Sequence, residues 1–143
     1  MTAFLWLLLG SVGLAIVAVL TRRRSFQRIP DLPDNEFVRI YKQAFQGDDA
    51  AIIRERRFIA KVLGVPHQKL HPNHRFQDLS NLHFDVGYSV AMGDLEYDLI
   101  DLRKRVGLDS ALHFPDTVGE LVSELVALRN EMLESSPVRL SAD

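Results

Sequence analysis

The chain of 143 residues contains no cysteine, which excludes disulfides and cysteine-based metal or redox sites. Residues 1–20 carry no charge and hold 16 apolar side chains, and residues 1–28 contain four arginines but no acidic residue. The remainder has 13 basic and 19 acidic residues. A basic N-terminal segment ahead of an acidic domain is not typical of nucleic-acid-binding proteins, so we expect no nucleic-acid partner.

The uncharged run at residues 3–20 (AFLWLLLGSVGLAIVAVL) is long enough to cross a bilayer. As a helix it would extend about 27 Å, close to the roughly 30 Å hydrocarbon core. A cleaved signal peptide would carry its positive charge before the apolar run, whereas here the arginines follow it. We therefore expect residues 1–21 to form a retained transmembrane helix, with the lipid bilayer as a partner.

The arginines that follow the run predict its orientation. Positive residues stay on the cytoplasmic side, so we expect a single-pass protein with its N-terminus outside and its C-terminal domain in the cytoplasm. Arg22, Arg23, Arg24 and Arg28 are also the candidate membrane-surface residues, since arginine pairs with anionic headgroups. Residues 22–33 form this basic juxtamembrane collar and a linker that its prolines stiffen.

The next segment carries the signals of two helices. Asp34 predicts the cap of a short helix that Gly47 ends. Asp48 or Asp49 predicts the start of a second helix, and Gly64 predicts its end.

Two further helices are predicted towards the C-terminus. One begins near Asp94 and ends at Gly107, with apolar residues at helical spacing. The other begins with a capping box formed by Thr117 and Glu120. Residues 135–143 contain few apolar side chains, so we expect a flexible tail there.

Residues 82–92 show a different pattern. Every second residue is apolar in this stretch: Leu82, Phe84, Val86, Tyr88, Val90 and Met92. Period-two alternation predicts a strand with one buried face. It could form a short two-stranded β pairing with residues 108–114, or the stretch could be a long loop over the helices. Because the other predicted elements are all helices, the predicted fold class is mainly α.

Five short motifs follow one another within about residues 50–130. They are 59–65 (IAKVLGV), 70–72 (LHP), 75–79 (RFQDL), 94–107 and 114–122 (FPDTVGELV). In this order they resemble the acyl carrier proteins: the end of the first helix, the first loop, an F-x-D-L element, the second helix and the entry into the last helix. The resemblance implies that residues 34–134 form an acyl-carrier-like helical bundle.

One departure from that family concerns its cofactor. A working carrier attaches 4′-phosphopantetheine to a serine at the start of its second helix, but here the corresponding residues 92–95 read MGDL. Ser89 and Ser110 are weak candidates for a displaced attachment site. Ser89 lies inside the alternating stretch, and Pro115 would interrupt a helix that starts at Ser110. We therefore expect a carrier-like domain without the cofactor.

The predicted third helix is acidic along most of its length and basic at its end. Its acidic residues are Asp94, Glu96, Asp98 and Asp101. This distribution suits the helix dipole and needs no further explanation. Because carriers use an acidic second helix for docking, the resemblance also implies that these four residues bind a protein partner with a basic docking surface.

Three histidines, His67, His71 and His74, are spaced as metal ligands on a helix would be. Pro66 and Pro72 disfavour a continuous helix there, so we expect exposed loop histidines and no metal site.

The sequence shows no nucleophile–base pair, glycine-rich phosphate loop or paired-carboxylate site, so we expect no enzyme. We expect a membrane-anchored, carrier-like module that acts through protein–protein contact at the cytoplasmic face. Two alternatives stay open: a genuine acyl or peptidyl carrier with a displaced serine, and a small bitopic membrane scaffold.

Overall fold

The computed structural model describes residues 28–82, 86–109 and 113–135, which form five α-helices and no β-strand. The helices are α1 (Asp34–Tyr41), α2 (Asp49–Leu63), α3 (Phe76–Leu82), α4 (Val86–Arg105) and α5 (Val118–Ser135). The mainly helical fold predicted from the sequence is confirmed. A compact unit that begins at Leu32 contains all five helices.

The membrane predictions fall mostly on other residues. In the described ranges, none of the helices combines the length and the apolar character that a membrane span requires. The predicted span at residues 1–21, Arg22, Arg23 and Arg24 lie outside those ranges, as do residues 136–143 of the predicted tail. Arg28 is described and is exposed.

Helix α2 is the central element of the bundle, because it packs against α1, α4 and α5. The core is built from apolar side chains that these helices bury almost completely: Phe37, Tyr41, Ile52, Ile59, Leu95, Leu99, Leu121 and Leu125. Burial of each such side chain contributes about 1.5–3 kcal/mol relative to an exposed position. Because Leu95 and Leu99 of α4 belong to this core, α4 packs against the bundle through one face, and its other face is exposed to solvent.

Two of the predicted helix starts are confirmed by their capping hydrogen bonds. The Asp48 carboxylate accepts a hydrogen bond from the Ala51 backbone N–H at 3.1 Å, so Asp48 caps α2. At α5, the Glu120 N–H donates to Thr117 Oγ1 at 3.2 Å, and the Thr117 N–H donates to Glu120 Oε2 at 3.1 Å. These local contacts satisfy amide groups that lack a partner within the helix.

The predicted role of Asp34 as a cap is wrong. Asp34 is the first residue of α1, Pro33 occupies the capping position, and no side chain caps the helix. The Asp34 carboxylate instead accepts hydrogen bonds from Arg56 at 2.7 Å and Arg57 at 2.6 Å. The helix ends at Tyr41, several residues before Gly47, the predicted end.

The predicted strand or loop at residues 82–92 is also wrong for the part that is described. Residues 86–92 are the first turns of α4, which begins well before the predicted start near Asp94. Tyr88, Ala91 and Leu95 are buried at the 3–4 spacing of a helix, whereas Val90 is 58% exposed. The alternating apolar residues of this segment lie on opposite sides of one helix, so the alternation does not indicate the buried face of a strand.

The segment before α5 pairs with the segment before α3. Arg75 and Thr117 form an isolated antiparallel bridge, and the Gly119 N–H donates to the Pro72 carbonyl at 2.8 Å. A Cβ added at Gly119 would lie 2.9 Å from Phe45 Cε2 and 3.0 Å from Pro72 O, so this close approach requires glycine. The F-x-D-L element itself belongs to α3, a helix that the sequence patterns did not predict.

Candidate interaction surface

Helix α4 is fixed near its N-terminus by a buried tyrosine. The Tyr88 hydroxyl donates to the Phe76 carbonyl at 2.8 Å, which joins the first turn of α4 to the start of α3. Burial raises the pKa of Tyr88 to about 12, so the hydroxyl remains protonated and keeps its role as a donor.

The other end of α4 is fixed by a buried arginine. Arg103 donates to both carboxylate oxygens of Glu124 on α5, from Nε at 2.6 Å and from Nη2 at 3.0 Å. Its Nη2 also donates to the His113 carbonyl at 3.1 Å. Planar, two-point pairing of this kind defines orientation as well as distance. With both ends held, α4 presents its solvent-facing side as a rigid surface.

We define the outer face of α4 as Val90, Gly93, Asp94, Tyr97 and Asp101, which recur at helical spacing opposite the buried stripe. Tyr97 is 72% exposed and Val90 is 58% exposed. A Cβ built at Gly93 would meet nothing within 4 Å beyond its chain neighbours and the backbone of its own helix, so the space between these two apolar side chains is open. An exposed aromatic residue beside an open position on a rigid helix is suited to contact a partner protein.

The predicted acidic residues surround this face. Asp94 and Glu96 are exposed, and Asp98 and Asp101 are half-buried. Asp101 pairs with Arg105 at 2.7 Å, whereas Asp94, Glu96 and Asp98 form no ion pair within the described residues. Helical spacing places Asp94 and Asp101 beside Tyr97 and places Glu96 and Asp98 on its two flanks. The acidic charge therefore surrounds an apolar centre that the sequence patterns did not identify.

The two candidate attachment serines have different outcomes. Ser89 is exposed and lies in the first turn of α4, where the sequence had suggested a strand. Ser110 lies outside the described residues.

The histidine predictions are corrected in part. His67, His71 and His74 are all half-buried and not exposed as predicted, and His67 begins a short 3₁₀ helix, His67–Lys69. The ring centroids of His71 and His74 lie 5.6 Å apart. The His74 Nδ1 accepts the His71 backbone N–H at 3.2 Å, and the His71 Nδ1 accepts that of Asn73 at 3.2 Å. Among the described residues, no three side chains are arranged to hold a metal ion. These rings organise the loop through backbone contacts.

The pKa values of both rings are lowered in the folded domain, mainly by burial. For His71 the cause is burial, followed by the charge of Arg56. For His74 it is burial, followed by the charge of His71, and Asp78 opposes the shift. Both imidazoles therefore favour the neutral form more than histidine in water does.

Arg56 is a fully buried cation that the sequence patterns did not identify as important. Its Nη1 donates to Asp34 at 2.7 Å, and its Nη2 donates to the carbonyls of Leu32 at 2.8 Å and Leu70 at 2.9 Å. The guanidinium also lies 4.2 Å from the centroid of the Phe37 ring. Although burial alone would raise it, the pKa of Asp34 is lowered by the hydrogen bond from Arg57 and the charges of both arginines. This cluster joins the linker, α1 and the loop after α2.

Comparisons of the chain with models of known protein families, with curated proteins and with solved structures find no match.

Proposed function

We propose that the chain is a membrane-anchored, carrier-like helical module that acts through protein–protein contact at the cytoplasmic face. The single observation that carries this proposal is the outer face of α4, where Tyr97 and Val90 are exposed on a helix held at both ends. Large apolar side chains on a rigid element contribute much of the binding energy at protein interfaces. The proposed module is not an enzyme and carries no phosphopantetheine arm.

The charge around this face defines the kind of partner. The carboxylates of Asp94, Glu96 and Asp98, which form no ion pair with any described residue, favour a basic surface, because complementary charge accelerates association and disfavours acidic proteins. We therefore propose a partner with basic residues around an apolar contact that covers Tyr97.

The membrane anchor and its orientation belong to the same proposal and rest on residues 1–28. The uncharged run would hold the domain at the bilayer, and the arginines after it would keep residues 22–143 in the cytoplasm. Attachment would restrict the search for a partner to the membrane surface and raise the effective concentration of the outer face there.

The carrier-like part of the proposal is supported by where the motifs lie. The 59–65 motif spans the end of α2, and the 114–122 motif spans the start of α5. The long α4 and the helical F-x-D-L element depart from the family pattern as it was inferred from the sequence.

Site-specific photo-crosslinking in the native cells tests the proposed contact. With a photoreactive phenylalanine at Tyr97 of the full chain, we expect a discrete crosslinked protein that is absent with the probe at Lys61, an exposed position on α2. Asp94→Lys with Glu96→Lys should reduce that product at least about tenfold, because like charges now face the partner. The matched control, Glu131→Lys with Glu134→Lys on α5, should leave it unchanged. Equal crosslinking from Lys61, or no loss in the first variant, would contradict the proposal.

A second candidate function is favoured by Ser89 alone. An exposed serine in the first turn of α4 is close to where a carrier presents its attachment residue, so a genuine carrier with a displaced serine is the alternative. The intact mass of the chain purified from its own cells separates the two functions. We expect no phosphopantetheine adduct, whereas a stoichiometric adduct that Ser89→Ala removes would establish the carrier.

A further inference from the structure

A groove between α2, α4 and α5 lies apart from the outer face of α4. It has a volume of about 340 Å³ and is lined by Arg54, Leu102, Arg129, Met132 and Leu133. Leu133 is 70% exposed, so the groove is bordered by an apolar side chain that the domain itself does not cover. The groove therefore combines an apolar wall from α4 and α5 with two cationic side chains.

The two arginines are held on one fully buried carboxylate. Arg54 Nε donates to Glu55 Oε1 at 2.7 Å, and Arg129 Nε lies 3.2 Å from Glu55 Oε2. Arg129 also lies over the Phe58 ring, with its Cζ 5.1 Å from the ring centroid. Both contacts run through Nε. Within the described part of the chain, the Nη groups of the two arginines form no hydrogen bond, so they remain available to a ligand.

The charge of this cluster is not balanced. Among the described residues both guanidinium groups pair with the single carboxylate of Glu55, so these three side chains together carry one net positive charge. The Arg129 Nε and Glu55 Oε2 atoms are buried, but their ion pair is not aligned as a hydrogen bond. Within the described residues, the hydrogen-bonding capacity of both atoms is therefore unsatisfied. A ligand with one anionic group would balance the charge and accept hydrogen bonds from the planar Nη donors.

We propose that this groove binds a small amphipathic anion, with a carboxylate or phosphate on Arg54 and Arg129 and a single short apolar chain along Leu102, Met132 and Leu133. The volume lies at the lower end of the roughly 300–1,000 Å³ typical of ligand sites. That size suits one short chain and not a two-chain lipid. The proposal does not depend on the function proposed for α4, because the two surfaces share no residue.

Calorimetric titration of the full chain in zwitterionic nanodiscs tests the groove, with empty nanodiscs subtracted. The probes are hexyl phosphate, hexanoate, inorganic phosphate and hexanol. We expect hexyl phosphate or hexanoate to bind at least about tenfold more tightly than inorganic phosphate, since about two buried methylene groups suffice for that ratio. We expect a similar ratio over hexanol, because hexanol lacks the anionic group that the arginines bind. Comparable binding of all four probes would overturn the proposal.

Exposed residues allow variants that keep the fold. Leu133→Asp should weaken hexyl phosphate binding at least about fivefold, whereas Leu108→Asp, a matched change at an exposed leucine outside the groove, should not. Arg54→Gln should weaken binding several-fold, and Arg57→Gln on the same helix should not. Circular dichroism confirms that each variant is folded. Unchanged binding in Leu133→Asp or Arg54→Gln would overturn the proposal, as would displacement of hexyl phosphate by an anionic two-chain lipid in the nanodisc.

Discussion

Single side chains hold the helices of this domain together, and three of the most buried ones carry charge. Glu55, Arg56 and Arg103 are almost fully buried, and Arg56 and Arg103 each bind residues far away in the sequence. Removal of one partner from such a pair costs several kcal/mol, because the other charge stays buried without compensation. These contacts fix which segments meet, while the apolar core supplies most of the stabilising free energy.

Two glycines allow a matched test of packing at single positions. Gly119→Ala should lower the free energy of unfolding by about 1–3 kcal/mol, because its Cβ would meet Phe45 and the Pro72 carbonyl. Gly93→Ala should raise it by up to about 1 kcal/mol, because alanine is the better helix former and the added atom meets nothing within 4 Å. Urea denaturation of the full chain measures both values. A destabilising effect at Gly93 as large as that at Gly119 would contradict the packing described here.

The two half-buried histidines predict how stability depends on pH. The pKa values of His71 and His74 are lowered in the folded state from 6.5, so the unfolded chain binds protons more readily. Their contribution to stability is present above about pH 6.5 and is lost as the pH falls below that value. We expect the free energy of unfolding to decrease between pH 7.5 and pH 5.5.

Variants assign this pH dependence to the two rings. His71→Asn with His74→Asn retains side-chain acceptors but cannot titrate, so the decrease should become smaller. An unchanged or steeper dependence in the double variant would show that the rings are not responsible.

At the scale of elements, the parts predicted from the sequence are those that depend on neighbouring residues. The cap at Asp48 and the capping box at Thr117 form within one turn, so their residues determine them. The predicted start of α4 near Asp94 is wrong, because Gly93 and the alternation both disfavour a helix whereas tertiary burial of Tyr88 and Leu95 favours one. At residues 86–92 the local pattern disfavours a helix, and long-range packing determines that a helix forms.

The helical nature of residues 86–92 makes a specific prediction about two neighbouring positions. Ala91→Asp should lower the free energy of unfolding by more than about 2 kcal/mol, since it places a charge in the core. Val90→Asp should change it by less than about 0.5 kcal/mol, because Val90 faces solvent. Chemical denaturation monitored by circular dichroism gives both values. A strand with Val90 on its buried side would give the opposite order.

The candidate surface was only partly predictable for the same reason. The four acidic residues lie on α4 as expected, because their spacing needs only a helix. Tyr97 and Val90 could not be recognised as its apolar centre, since exposure depends on which face the rest of the bundle covers. Arg54 and Arg129 are 75 residues apart in the sequence and come to the same carboxylate, that of Glu55, only in the folded chain, so no local pattern indicates the groove.

At the scale of the whole molecule, charge and hydrophobicity divide the chain into two parts with different proposed environments. The proposed anchor lies in residues 1–28, and the compact unit that begins at Leu32 contains the helices. A chain shortened to begin at Ile29 should be recovered in the soluble fraction at high salt, whereas the full chain should stay with membranes. Thermal melting by circular dichroism should remain cooperative in the shortened chain. Its recovery in the membrane pellet would contradict the assignment of the anchor.

The attachment of Leu32 has a mechanical consequence. Its backbone N–H donates to the Gln68 carbonyl at 2.8 Å, and its own carbonyl accepts from Arg56 at 2.8 Å. A pull on the chain ahead of residue 32 therefore loads these two bonds before it reaches α1. The force would pass through Arg56 into α2, the helix that contacts most of the bundle, and would have to shear this junction instead of peeling α1 away turn by turn. A domain pulled at this point would resist tension at Leu32, before its first helix carries any load.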